Sequence, residues 1–223
     1  MEKDNTAEMK ELENKLNENL KVIEERNNNY ANAVNNSKEE WAVTFKNLKS
    51  GEEQIEEVVR NLPVVGVGDS VLLGAIDGLY EVFPNGYFDG KVSRAIPGGE
   101  SVLIDLKNKG LLSDVLILAL ANNGDFIERR IDELMEIVEN RQVYWVEAVN
   151  ADDLQFNEKF REYVQKYPNV HIVPWVEKSE NHPEYFYADG IHVKGDGVKA
   201  YADAIYETIY NHYVEEYRNK NMK

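Results

Sequence analysis

Hydrophobic positions fall into two regimes that meet at Pro63. Before it, Met9, Leu12, Leu16, Leu20 and Ile23 recur every three or four residues, which predicts one apolar stripe on an otherwise polar helix. The Asn-rich stretch 27–36 should loosen or end that helix. A second helical pattern, carried by Ile55, Val58, Val59 and Leu62, then runs into Pro63. About two heptads fall short of a sustained coiled-coil repeat. Residues 1–60 are therefore expected to form a helical arm, either packed on the remainder or projecting as a stalk. Because most faces of the arm are polar, deleting residues 1 to about 35 is expected to leave the rest folded.

From Pro63 onward, short apolar runs alternate with amphipathic stretches. Residues 64–67 read as a buried strand, 70–80 as a helix and 91–93 as a short second strand. A helix follows over about 99–107. Residues 114–120 (DVLILAL) form the strongest strand in the chain, unbroken and apolar, as suits a strand covered on both faces. Ile127, Ile131, Leu134, Ile137 and Val138 predict the next helix. Strands over 143–149 and 170–175, a helix over 157–167 and a long helix from about 197 to 217 complete the pattern. Such alternation predicts an α/β domain over 61–223, with a parallel sheet and helices on both faces. No internal repeat is visible.

Charge narrows the range of functions. Lys and Arg total 25 against 41 Asp and Glu, a net charge of −16. Binding phosphates needs a basic stripe, so nucleic acid is not expected as a partner, and neither is an anionic membrane surface. No apolar run approaches the ~18–20 residues of a spanning helix, and no signal-peptide core is seen, so a chain soluble as it stands is expected. The chain has no Cys, which removes disulfides, zinc ribbons, iron–sulfur sites and thiol nucleophiles. Four His without metal-ligand spacing make a protein-built zinc site unexpected, so neither a metal nor a cofactor is anticipated. Any chemistry should rest on hydroxyls, carboxylates and one imidazole.

Active sites of open α/β sheets lie at the carboxyl ends of the strands, and three segments there carry suitable residues. Gly68-Asp69-Ser70 follows the first strand and opens a helix, which exposes the Ser70 hydroxyl beside backbone N–H groups that could hold an oxyanion. The same residues would equally serve as a helix cap. Asn123, in the polar break after the best strand, could donate an amide to an oxyanion, although Asn-Asn-Gly is also a common turn. Asp189 lies three residues before His192 with Gly190 between, a spacing that brings the carboxylate to one imidazole nitrogen and leaves the other as base. Taken alone, that segment is a turn with a surface histidine. Three such signals in order at strand ends are harder to assign to turns.

Other polar groups read more simply. Asp152-Asp153 suits a helix start. Trp145, Trp175 and the tyrosines suit packing, although Tyr185, Phe186 and Tyr187 flank the Asp–His loop. His171 and His212 are expected to be structural, and His182 could line a cleft.

The order Gly-Asp-Ser, loop Asn, then Asp-x-x-His resembles the SGNH/GDSL hydrolase superfamily over residues 63 to about 210. Within it, GVGDSVLLGA (66–75), FPNGYFDGKVSR (83–94), LALANNGDF (118–126), VYWVEAVN (143–150) and YADGIHVKGDGVKAYADAI (187–205) are similar to the extracellular domains of peptidoglycan O-acetyltransferases. Those domains are attached to a membrane acyltransferase-3 region. The resemblance implies a flavodoxin-like α/β/α sandwich of three layers, with a parallel sheet of five strands. It implies Ser70 as nucleophile, His192 as base and Asp189 as its orienting carboxylate. Ser70, Asn123 and Ser93 would line the oxyanion hole, and Arg94, Asn123 and Tyr187 would meet the substrate. Where the family commonly has Gly-Arg-Gln this chain has Ser93-Arg94-Ala95, and for Gly-Thr-Asn-Gly it has Ala121-Asn122-Asn123-Gly124.

The implied reaction moves an acetyl group, through an acyl-Ser70 intermediate, to the muramoyl C6 hydroxyl of peptidoglycan. The donor would be delivered by the membrane region. This chain would then be a monomeric ectodomain at the outer face of the membrane, with 1–60 as a juxtamembrane linker. Rival readings are an esterase with the same triad, an O-acetyltransferase for another surface polysaccharide, and a non-catalytic binding domain.

Overall fold

The computed structural model describes residues 2–36, 52–149 and 154–221. Two helices, α1 (Glu2–Asn36) and α2 (Glu52–Arg60), precede the sheet. The α/β part then runs β1 (Val65–Gly68), α3 (Ser70–Gly74), α4 (Ile76–Val82), β2 (Tyr87–Gly90), α5 (Ile96–Asn108), β3 (Val115–Ala119) and α6 (Glu128–Val138). It continues with β4 (Gln142–Val146), α7 (Leu154–Tyr163), β5 (Val170–Val173), α8 (Trp175–Ser179) and α9 (Asp196–Asn221). All pairings are parallel, in the order β2-β1-β3-β4-β5. Every residue of β1 and β3 is buried, as expected of central strands covered on both faces.

The alternating side chains of the strands feed two cores. Val115, Ile117, Tyr144 and Val146 face a layer built from α2, α3, α4 and α9, centred on Leu72, Ile76, Leu79 and Ile205. Leu116, Leu118, Val143 and Trp145 face α5, α6 and α7, centred on Leu103, Leu134 and Phe160. Trp145 stacks on Phe160 at 4.2 Å between ring centroids. The result is three layers, α/β/α, with five strands. Among the described residues no helix is long and apolar enough to cross a membrane.

Three elements differ from the sequence reading. The second strand lies at Tyr87–Gly90, not at 91–93. Asp89-Gly90 looks like a turn in sequence, but Gly90 packs so tightly against Leu73 that an added Cβ would fall 2.7 Å from the Leu73 Cβ. The helix expected over 70–80 is two short helices broken at Ala75. The last strand stops at Val173, because Pro174 precedes the short helix α8.

The arm is packed. The buried line of helix α1 is Leu12, Leu16, Asn19, Ile23 and Tyr30, while Met9 and Leu20 of the expected stripe stand exposed. Leu12, Leu16 and Ile23 join the first core and Tyr30 the second, so the helix passes across the β2 edge from one layer to the other. The Asn residues that should have ended it are used sideways. Asn27 accepts from the Phe88 N–H (3.1 Å) and donates to the Phe88 carbonyl (2.8 Å), completing the outward backbone groups of the edge strand. Asn19 donates to the Leu73 carbonyl at 2.7 Å. Removal of residues 1 to about 35 would take this apolar line off the core and strip the β2 edge of its partner groups.

Candidate active site

The turn at the end of β1 explains why a serine stands there. Gly68 lies against α3, where a Cβ would meet the Leu72 Cβ at 2.6 Å and the Ala119 carbonyl at 3.0 Å, so the strand passes into the helix without a side chain. Asp69 caps α3 by accepting from the Val71 N–H at 2.8 Å. Ser70, the first residue of the helix, is only 8% exposed.

The partner groups arrive on a tight hairpin between α8 and α9. Its base is an antiparallel bridge between Phe186 and Val193, tightened by the Tyr187 N–H to the His192 carbonyl at 2.9 Å. At its tip Gly190 takes φ +69°, a left-handed conformation that favours glycine. Asp189 Oδ1 accepts from the Ile191 and His192 N–H groups at 2.9 and 3.0 Å. Its other oxygen lies 2.7 Å from His192 Nδ1, and His192 Nε2 lies 2.8 Å from Ser70 Oγ. Ser70, His192 and Asp189, 122 and 119 residues apart from the serine in sequence, thus form one hydrogen-bonded chain. Paired this way, Nδ1–H donates to the carboxylate, and Nε2 is left to accept the serine proton. Partial burial raises the Asp189 carboxyl, but the two backbone donors and the imidazole outweigh it and hold the group below the usual carboxylate range.

Sequence reasoning missed how much Asp69 does beyond capping. Its carboxylate is fully buried, and the oxygen left over from the cap accepts from Asn122 Nδ2 (2.8 Å) and Asn123 Nδ2 (3.2 Å). Burial pushes this carboxyl up, while the amides, the Val71 N–H and the nearby His192 pull it back. The loop after β3 is thereby tied to the loop after β1, with Asn123 beside the serine's turn. A Gly-Asp-Ser segment followed by a pair of amides after the next central strand was the available signal.

The second loop behaves differently from expectation. Ser93 takes φ +57°, the conformation glycine adopts most easily, and the turn is closed by the Arg94 N–H to the Lys91 carbonyl at 3.2 Å. Arg94 was expected at the substrate, but its side chain is 6% exposed. It donates to the Gly68 carbonyl (3.0 Å), to Asp89 Oδ1 (2.6 Å) and to the Asp89 carbonyl, bracing the ends of β1 and β2 against each other. Tyr187 was also expected at the substrate, yet it is 6% exposed in the first core, with Lys194 over its ring. His182 pairs with Glu184 at 2.7 Å and stacks on Tyr185. Asp152 and Asp153 lie outside the described residues. Beside Asn123 opens a groove of about 240 Å³, walled by Ala95, Ile96, Pro97, Leu120, Ile127 and Phe156.

A parallel sheet of this order, with serine, imidazole and carboxylate joined at its strand ends, is the fold of the SGNH/GDSL hydrolases, the superfamily that this chain resembles. The C-terminal catalytic domain of Streptococcus pneumoniae peptidoglycan O-acetyltransferase A, solved with a methylsulfonyl adduct, superposes with a TM-score of 0.59 at 19% identity, covering 67% of this chain and 93% of that one. A GDSL-like lipase from Bacteroides thetaiotaomicron gives a TM-score of 0.54 at 14% identity, over 78% of this chain and all of that one. In sequence, the particular resemblance is to O-acetyltransferase OatA of Staphylococcus aureus, 32% identical over 163 residues. That alignment takes in 70% of this chain but 26% of the relative, so the chain spans about a quarter of the length of the protein it matches. No protein-family model matches the chain.

Proposed function

We propose that this chain carries the acyl-transfer site of a peptidoglycan O-acetyltransferase, with Ser70 as nucleophile. The observation that supports the reading best is the unbroken chain Ser70–His192–Asp189, on the fold shared with the pneumococcal catalytic domain. Ser70 Oγ attacks the acetyl carbonyl and its proton passes to His192 Nε2. The oxyanion is held by the Ser70 N–H, by the Ser93 N–H on its left-handed turn, and by Asn123. An amide nitrogen has two hydrogens; Asp69 engages one of Asn123's and so aims the other. Collapse of the intermediate expels the donor oxygen, which takes the proton back from His192. A glycan hydroxyl, the muramoyl C6 hydroxyl by analogy with the relatives, then gives its proton to His192 and attacks acetyl-Ser70. A second collapse transfers the acetyl group and restores the serine.

In this reading residues 61–223 are the catalytic unit and the helices of 1–60 its packed cover. The unit works as a monomer at the outer face of the membrane, and its donor comes from a membrane acyltransferase region like that of the full-length relatives. The groove beside Asn123 offers apolar walls to one face of the acceptor ring.

The test is partitioning. With an activated acetyl ester and muroglycan or chitooligosaccharide acceptors, mass spectrometry should find acetylated sugar, absent with Ser70→Ala. Acetate as the sole product across acceptors, together with rapid de-esterification of acetylated wall polymer, would establish an esterase instead.

A further inference from the structure

The hairpin that presents Asp189 and His192 is fixed on its inner side by its own residues. Asp189 Oδ1 gathers the Ile191 and His192 N–H groups, and the Phe186–Val193 bridge closes the base. Its outer side is held by a residue 180 positions away. Glu8, in the second turn of α1, accepts from the Ala188 N–H through Oε2 at 3.1 Å. Its Oε1 accepts from Lys194 Nζ at 2.7 Å. Ala188 immediately precedes Asp189, and Lys194 follows His192 by two residues. One carboxylate therefore spans the two flanks of the segment that contains both the acid and the base. Helix α1 can supply this grip because it is itself anchored downstream, through Leu12 and Leu16 in the core and Asn19 on the Leu73 carbonyl.

We infer that Glu8 is a positioning residue for the Asp189–His192 hairpin, so that the N-terminal helix, rather than the α/β part alone, sets the alignment of His192 Nε2 with Ser70 Oγ. This rests on the acyl-transfer reading only in needing Ser70 to be activated by His192; it holds equally for a transferase or an esterase. The physical argument is one of leverage. The tip of a short hairpin with a left-handed glycine has little packing of its own, and Ala188, Asp189 and Gly190 are all exposed. Displacing reacting groups by ~1 Å costs up to ~100-fold in rate. A tether at Ala188 restrains the peptide from which the Asp189 side chain springs.

The proposal is tested with the full chain by two readouts of Ser70. One is steady-state hydrolysis of an activated acetyl ester, and the other is the rate of inactivation by phenylmethylsulfonyl fluoride. Glu8→Ala should lower kcat by about tenfold with little change in KM, and slow sulfonylation in parallel. Glu8→Gln keeps an oxygen for the Ala188 N–H and should recover most of the loss. Lys15→Ala, which cuts an ion pair of the same helix away from the hairpin, should stay within twofold of the parent. Melting temperature and far-ultraviolet circular dichroism are followed for each variant. Parent-like kcat and sulfonylation in Glu8→Ala overturn the inference. So does a loss that comes with a lowered melting temperature and is shared equally by Lys15→Ala, because the helix would then act through stability alone. Ser70→Ala serves as the control on the underlying reading: if it stays active, the nucleophile assignment fails, and with Ser70→Ala dead and Glu8→Ala unaffected only the clamp fails.

Discussion

Asn27→Ala should destabilise the protein by about 2 kcal/mol, more than its place on a polar helix would suggest. The side chain makes two hydrogen bonds to one residue, accepting from the Phe88 N–H at 3.1 Å and donating to the Phe88 carbonyl at 2.8 Å. Phe88 lies in β2, the edge strand, and its neighbour β1 is on the other side. The outward backbone pair has no further strand to meet, and α1 half-covers it. Each neutral hydrogen bond contributes about 0.5–1.5 kcal/mol net, and a partner left unsatisfied under cover costs ~1–3 kcal/mol. Two bonds, partly offset by water reaching a half-buried site, give ~2 kcal/mol. For a chain of this size that lowers the melting temperature by roughly 4–8 °C. Asn27→Asp keeps the acceptor but turns a carboxylate oxygen toward the Phe88 carbonyl, and should be no better than alanine. Urea unfolding followed in parallel by circular dichroism and by fluorescence of the buried Trp145 and Trp175 measures the loss. If Asn27→Ala costs less than about 0.5 kcal/mol with an unchanged denaturant slope, the amide is not completing the sheet edge and the arm is held by its apolar line alone.

Further outcomes follow from the same geometry. Ser70→Ala should abolish ester turnover, whereas Asp189→Asn should leave more activity, because the oxyanion donors survive the loss of an orienting carboxylate; equal residual rates in the two variants would contradict this order. Asn123→Ala should lower kcat by about 10²–10³ if its amide meets the oxyanion, and an effect confined to KM would reassign it to substrate binding. His171 and His212 stack 3.9 Å apart between β5 and α9, and burial brings His171 down from 6.5 to about 4, with His212 also lowered. The folded state then binds fewer protons than the unfolded one, so stability from this pair is complete above pH 6.5 and is lost as pH falls toward 4. The full displacement of His171 corresponds to about 3 kcal/mol, and for a half-open pair near Glu215 and Glu216 a loss of about 1–2 kcal/mol is expected; His171→Phe should flatten that slope in urea unfolding from pH 7 to 4.

What could be read from the sequence was whatever depends on local pattern. DVLILAL announces a central strand because unbroken apolar runs have no other use in a sheet covered on both faces. Ser70, Asn123 and Asp189–His192 were legible because strand-end placement and the Asp-to-His spacing are short-range properties, and the resemblance joined them into one site. Residues whose partners are distant backbone atoms were not legible. Asn27 looks like a helix breaker, yet its amide serves both backbone groups of Phe88, and Asn19 on the same helix serves the carbonyl of Leu73. Arg94 looks like a cation for substrate, yet three of its five N–H groups go to Gly68 and Asp89.

The arm, which the sequence left open as either packed or projecting, bears most on function. Polar composition left a stalk open because helix amphipathicity was counted in apolar residues alone. The buried line of α1 includes an asparagine at its centre, and near its N-terminal end Glu8 meets the loop that holds the imidazole. A spacer should tolerate insertion, deletion and change of sequence. A helix that completes a sheet edge at Asn27 and grips the hairpin at Ala188 makes both contacts from one element. The proposed acyl-transfer centre is in that sense assembled by two parts of the chain, and the N-terminal one is the part that composition alone would discard.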